Sequence, residues 1–162
     1  KLIAERDVNI DTQYKAVIKL PYQPGTLKAV SVDANGKEMA ESTLRTSSEP
    51  AAIRLTPDRK HIDADGQDLA FIMVDVVDKD GNIVADADIP VTVSVKGRAT
   101  LLAAASANLK DLEPKTSPKV TTYKGKAIIV VRSGRKAGKA VISASMPKEN
   151  GSKSTSLTIT CK

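Results

Sequence analysis

Short runs in which apolar and polar residues take turns, separated by clusters of Asp, Asn, Gly and Pro, fill the chain from about residue 49 onward. Ala51 to Thr56 places Ile53 and Leu55 on one side before Pro57-Asp58 breaks the run. Leu69 to Val77 is apolar at nearly every position, and its length and β-branched residues predict a strand buried on both sides rather than a helix. Asp78-Lys79-Asp80-Gly81-Asn82 follows as a turn, since these residue types tolerate left-handed backbone angles. Val91, Val93 and Val95 alternate with Thr92 and Ser94, which sends the valines to a core and the hydroxyls to solvent. Thr100 to Ala107 is apolar and helix-tolerant, and the aperiodic stretch on to Thr121, with Pro114 and Pro118, is expected to be a long loop with a short helical turn. Ala127 to Val131 and Ala140 to Ser145 flank a Gly134 to Gly138 turn, and Leu157, Ile159 and Cys161 alternate in a last strand beyond a Lys148 to Lys153 turn. About seven strands in this span predict an all-β fold, an immunoglobulin-like β-sandwich over residues 49-162.

Residues 1-46 repeat the style on a smaller scale. Tyr14, Ala16, Ile18 and Leu20 alternate with Lys15, Val17 and Lys19, and Pro21-Tyr22-Gln23-Pro24-Gly25 turns the chain. Leu27 to Val32 and Met39 to Leu44 predict a hairpin about Asp33-Ala34-Asn35-Gly36. With Leu2 to Val8 this makes a partial sheet of three or four strands, the trailing strands of a truncated module, joined to the sandwich by the polar Thr46-Ser47-Ser48-Glu49-Pro50.

Charge and composition narrow what such a sandwich can do. The net charge of +6 divides into +1 for residues 1-48, −6 for 49-95 and +11 for 96-162. A basic stretch of that strength fits a nucleic-acid surface, but the aromatic platforms that stack single-stranded bases are missing: the aromatics are Tyr14, Tyr22, Phe71 and Tyr123. Acidic and basic halves that interleave in one sandwich and partly neutralise each other are the preferred account, with no nucleic-acid partner. Cys161 is the sole cysteine, which excludes an intrachain disulfide and a thiolate metal cluster. No run approaches the roughly 18 apolar residues of a membrane span. Lys1-Leu2-Ile3-Ala4-Glu5-Arg6 has neither an initiator Met nor the apolar run of a signal peptide, so a piece of a longer polypeptide is expected.

No catalytic, cofactor or metal residue is assigned. Gly134-Arg135-Lys136-Ala137-Gly138-Lys139-Ala140 is one residue short of a phosphate-binding loop and lacks its hydroxyl after the Lys, so it reads as a hairpin turn. Asp78, Asp80, Asn82, Asp86 and Asp88 have the oxygens for a calcium ion, but the Gly comes too early for an EF-hand and no Glu closes the loop, leaving turn-forming acids on a solvated edge. His61 stands alone among polar residues and is expected on an exposed loop. Glycoside hydrolysis needs two facing carboxylates, and Glu5, Glu38, Glu41, Glu49, Glu113 and Glu149 show no pairing pattern. Asn150-Gly151-Ser152 matches a glycosylation acceptor and equally a turn.

Pro21-Tyr22-Gln23-Pro24-Gly25-Thr26-Leu27-Lys28-Ala29-Val30, with Asn35-Gly36-Lys37-Glu38 and Leu44-Arg45-Thr46, resembles the end of the immunoglobulin-like module that follows the catalytic barrel in many glycoside hydrolase family 2 enzymes of the β-galactosidase type. Glu49 to Arg59, Ala64-Asp65-Gly66-Gln67-Asp68-Leu69 and Val77 to Val84 are similar to the last module of those enzymes, notably in Bacteroides-like bacteria, and Tyr123-Lys124-Gly125-Lys126-Ala127 resumes the likeness. Ala107 to Pro114 departs from the family's Asn-Gly-Asp-Pro type of loop. The resemblance implies a non-catalytic C-terminal accessory module whose parent's catalytic glutamates lie in the barrel, so no catalytic residue carries over. It implies as partners that barrel and neighbouring immunoglobulin-like modules, with weak glycan contact as a further possibility, in a periplasmic or extracellular setting. The alternative class is a carbohydrate- or surface-binding module resembling bacterial adhesin repeats.

Overall fold

A computed structural model of the 162-residue chain describes residues 1–147 and 154–162. The turn expected at Lys148 to Lys153, the Asn150-Gly151-Ser152 pattern and Glu149 lie outside the described residues. The chain falls into two compact units, Lys1–Thr46 and Ser47–Lys162.

The first unit is built on one antiparallel hairpin, β1 (Thr26–Val32) with β2 (Glu38–Arg45). Asp33 closes its turn: the carboxylate accepts hydrogen bonds from the N–H groups of Asn35 and Lys37, both at 2.9 Å, and Gly36 takes φ +79°. The strands expected at Leu2 to Val8 and Tyr14 to Leu20 do not form, so the unit has two strands instead of three or four. Between them Asn9 caps a turn by accepting from the N–H groups of Asp11 and Thr12, with Gln13 and Tyr14 at positive φ. Alternation alone does not make a strand; backbone N–H and C=O groups need a neighbouring strand to pair with.

The second unit is a two-layer β-sandwich. One sheet has four strands in the order β3 (Ala52–Pro57), β5 (Leu69–Val77), β9 (Lys126–Ser133), β7 (Ala99–Ala105). The other has five, in the order β4 (His61–Ile62), β11 (Ser154–Cys161), β10 (Gly138–Ser145), β6 (Pro90–Gly97), β8 (Lys119–Thr121). Among the described residues the strand pairings are antiparallel except β11 with β4. Inward-facing Ile72, Val74, Val76, Ile129 and Val131 from the first sheet meet Val91, Val93, Ile142 and Ile159 from the second in one core. Burying each such side chain stabilises by about 1.5–3 kcal/mol, which fixes the register, since a one-residue slip would turn the whole set to solvent.

Three sequence expectations change. The helix-tolerant run 100–107 is largely strand β7, because pairing with β9 at the sheet edge overrides the helix preference of alanine. The long loop narrows to residues 106–118, which contain turns and no helix, and ends in β8. The Gly134 to Gly138 turn is not a hairpin: β9 and β10 belong to different sheets, so it arches from one layer to the other. Turn composition marks a reversal without saying which sheet the next strand joins.

Candidate functional site

The residues considered for chemistry are scattered, and Asp78, Asp88, Glu41 and Glu113 among them are engaged locally. Asp78 is buried and serves the backbone: one carboxylate oxygen accepts from the N–H groups of Asp80 and Asn82, each at 2.9 Å, and the other from that of Ser48 at 2.9 Å. The Asn82 side-chain amide donates to both oxygens. The Ser48 bond above all, joined by those of Asn82 and Asp80 and opposed by burial, lowers the Asp78 carboxyl from 3.8 to about 2. Asp88 accepts from the Lys124 N–H at 3.0 Å, while Asp80 and Asp86 are exposed. Among the described residues no group of three or more His, Cys, Asp or Glu converges as a metal site.

His61 is exposed, on the short strand β4, paired with Thr160. Glu41 forms an ion pair with Lys28 at 2.6 Å across the hairpin, Glu38 begins β2, and Glu5 and Glu49 are exposed. Glu113 caps the end of the 106–118 loop, accepting from the N–H and hydroxyl of Thr121. A shallow hollow at one end of the sandwich is lined by Gly97, Arg98, Ala99, Thr100, Gly134, Arg135 and Lys136, which supply positive charge and no carboxylate.

Side chains missed by the sequence reading organise the outer faces. On the four-stranded sheet Arg54, Asp75 and Lys126 stand side by side across β3, β5 and β9. Asp75, itself buried, accepts from Arg54 Nη2 at 2.9 Å and Nε at 3.2 Å, and from Lys126 Nζ at 2.9 Å. Burial pushes its carboxyl up, and the hydrogen bonds and charges of Lys126 and Arg54 outweigh that, leaving it below its ordinary value. The next row is Thr56, Met73, Ile128 and Ala105, the one after is Phe71, Val130 and Ala103, and a final row holds Leu69, Arg132 and Thr100. Phe71 and Met73 are 40% and 39% exposed, although Ala70, Ile72 and Val74 between and beside them are fully buried. The strand expected to be buried on both sides is therefore two-faced, with an apolar outer face.

The five-stranded sheet is its opposite. Its outer rows are Lys96, Val141 and Thr158; Ser94, Ser143 and Ser156; and Thr92, Ser145 and Ser154, with Lys139 beside Thr160. One face of the sandwich is mainly hydroxyls, with exposed Val141, Lys96 and Lys139 among them, and the other carries an apolar band bounded by rows that hold Arg54, Asp75 and Lys126 on one side and Arg132 on the other.

These features define the class: an immunoglobulin-like sandwich with engaged acids and one apolar face. The family model for the glycoside hydrolase family 2 C-terminal domain 5 matches residues 53–155. The chain belongs to that family. It is 36% identical over 126 residues to the β-galactosidase BoGH2A of Bacteroides ovatus, covering 78% of this chain and 15% of that protein. It is 33% identical over 110 residues to a β-galactosidase of Thermoanaerobacter pseudethanolicus, covering 68% of this chain and 13% of that one. A crystal structure of a glycosyl hydrolase family 2 member from Bacteroides cellulosilyticus superposes with a TM-score of 0.85 at 33% identity, over 97% of this chain and 20% of the other. The chain thus spans a fifth or less of the length of these relatives.

Proposed function

We propose that this chain is a non-catalytic accessory domain of a secreted bacterial glycosidase of the β-galactosidase type, where it docks on the catalytic barrel and neighbouring immunoglobulin-like modules. The observation that carries the reading is the match of residues 53–155 to a C-terminal domain of glycoside hydrolase family 2, in a chain whose curated relatives are β-galactosidases several times its length. Its acids support the same reading, since Asp75 and Asp78 hold strands and turns together. On this reading residues 1–46 are the trailing strands of a preceding module, residues 49–162 are an immunoglobulin-like sandwich that follows it, and the parent works in the periplasm or outside the cell. Weak glycan contact would fall on the hydroxyl-lined face, which offers hydrogen bonds but no aromatic ring for a sugar to stack on.

The test is removal of this segment from the full-length enzyme. The accessory reading predicts an enzyme with unchanged chemistry per folded molecule that inactivates at lower temperature. Loss of turnover in an enzyme that stays folded and equally heat-resistant contradicts it.

A further inference from the structure

We infer that the outer face of the four-stranded sheet is the docking surface, and that its occupant is another domain of the same polypeptide presenting an apolar patch rimmed by carboxylates. This rests on the accessory reading above and adds which face is used and what it meets. The two outer faces differ in kind: hydroxyls stand in successive rows on one sheet, whereas Phe71, Met73, Ile128, Val130, Ala103 and Ala105 occupy two adjacent rows on the other. A strand facing water alternates between core and polar residues, as β6 does with Val91, Thr92, Val93 and Ser94. Strand β5 breaks that rule where Phe71 and Met73 point outward, and a contiguous apolar patch rimmed by polar groups marks an interface.

Two observations identify the occupant. The rim carries Arg54 and Lys126 on one side and Arg132 on the other, against Asp75, and the acid opposite Phe71, Asp58, is ion-paired with Arg59 at 3.2 Å, so the patch is framed by excess positive charge and complements carboxylates. In the β-galactosidase of Bacteroides ovatus the matched region is 15% of the polypeptide, so in such a protein most of the chain is tethered to this domain. Tethering gives the partner an effective concentration in the millimolar range, at which a patch too small to hold a free protein is enough.

The three methionines supply the test. Met39 in the first unit is 65% exposed, Met73 in the patch 39% and Met146 in the core 5%. Peroxide oxidation is followed residue by residue by mass spectrometry in the 162-residue chain and in the full-length enzyme, with slow oxidation of Met146 in both as the check that the sandwich is folded. Protection of Met73 on the order of tenfold in the full-length enzyme is expected, lost again in F71D full-length enzyme. Equal Met73 rates in the two proteins overturn the inference. If removing the whole segment nonetheless lowers heat resistance, only the choice of face was wrong; if removal changes nothing, the accessory reading fails with it. Protection of Met73 that appears in the isolated chain and grows with its concentration assigns the face to a second copy and also overturns the inference.

Discussion

The carboxylate of Asp78 accepts a hydrogen bond from the backbone N–H of Ser48, thirty positions earlier, at 2.9 Å. That bond ties the entry of the sandwich to the turn after β5, and the same side chain closes the turn by accepting from Asp80 and Asn82. A single acid therefore fixes two loops, and its proton affinity records it.

Lowering pH should undo this clasp. The Asp78 carboxyl lies at about 2 in the folded chain against 3.8 ordinarily, so its contribution is fully present above pH 3.8 and is lost as pH falls towards 2. Urea unfolding at steps across that window should give a shallower pH dependence for D78N than for the unaltered chain. Parallel curves would show that the clasp does not contribute.

Asp75 anchors a row rather than a turn. D75A leaves Arg54 and Lys126 without their shared acceptor, but both cations are about half exposed and rehydrate, so a loss of about 1–3 kcal/mol is expected. Denaturant unfolding checks it, with R54A and K126A each costing less than D75A.

Thr122 makes a buried polar link between loop and sheet. Its hydroxyl accepts from the Ile89 N–H at 2.8 Å and lies 2.7 Å from the Ala87 carbonyl, to which it donates. T122V keeps the shape and strands both partners, at a cost of about 1–3 kcal/mol, whereas T122S should recover most of it. Equal stability of the two variants would contradict the assignment.

Gly125 and Gly81 separate strain from collision. Both have positive φ, +73° and +83°, but a Cβ at Gly125 would sit 2.3 Å from the Val84 carbonyl oxygen, whereas at Gly81 nothing lies within 4 Å. Thermal unfolding should show G81A losing about 1 kcal/mol and G125A at least about 3 kcal/mol.

How much of this was legible varies with what sets each feature. Val91 and Val93 alternate with hydroxyls and are buried as their period requires, because one face of β6 meets the core and the other water. The outer face of β5 was hidden because Phe71 and Met73 are as apolar as Ile72 and Val74. The signal available was Asp75, the lone charge in that run, which shares the parity of Phe71 and Met73 and so marks the outside. Its partners Arg54 and Lys126 are 21 and 51 positions away, and only the strand order joins them. The 99–105 strand and the arch at Gly134 were set by pairing between distant segments, which local preference does not encode. The Asp78 to Asn82 turn lies where its residue types place it, with Gly81 at φ +83°, whereas the carboxylate of Asp78 is directed at backbone N–H groups, one of them thirty positions away, which turn composition does not encode.

On the accessory reading the described side chains build a scaffold and no bond-breaking site. Turnover of a nitrophenyl β-galactoside by the purified 162-residue chain at high protein concentration tests this. The expected result is hydrolysis at the buffer rate, unchanged on adding the chain. Hydrolysis that scales with the chain and survives repurification would contradict the claim.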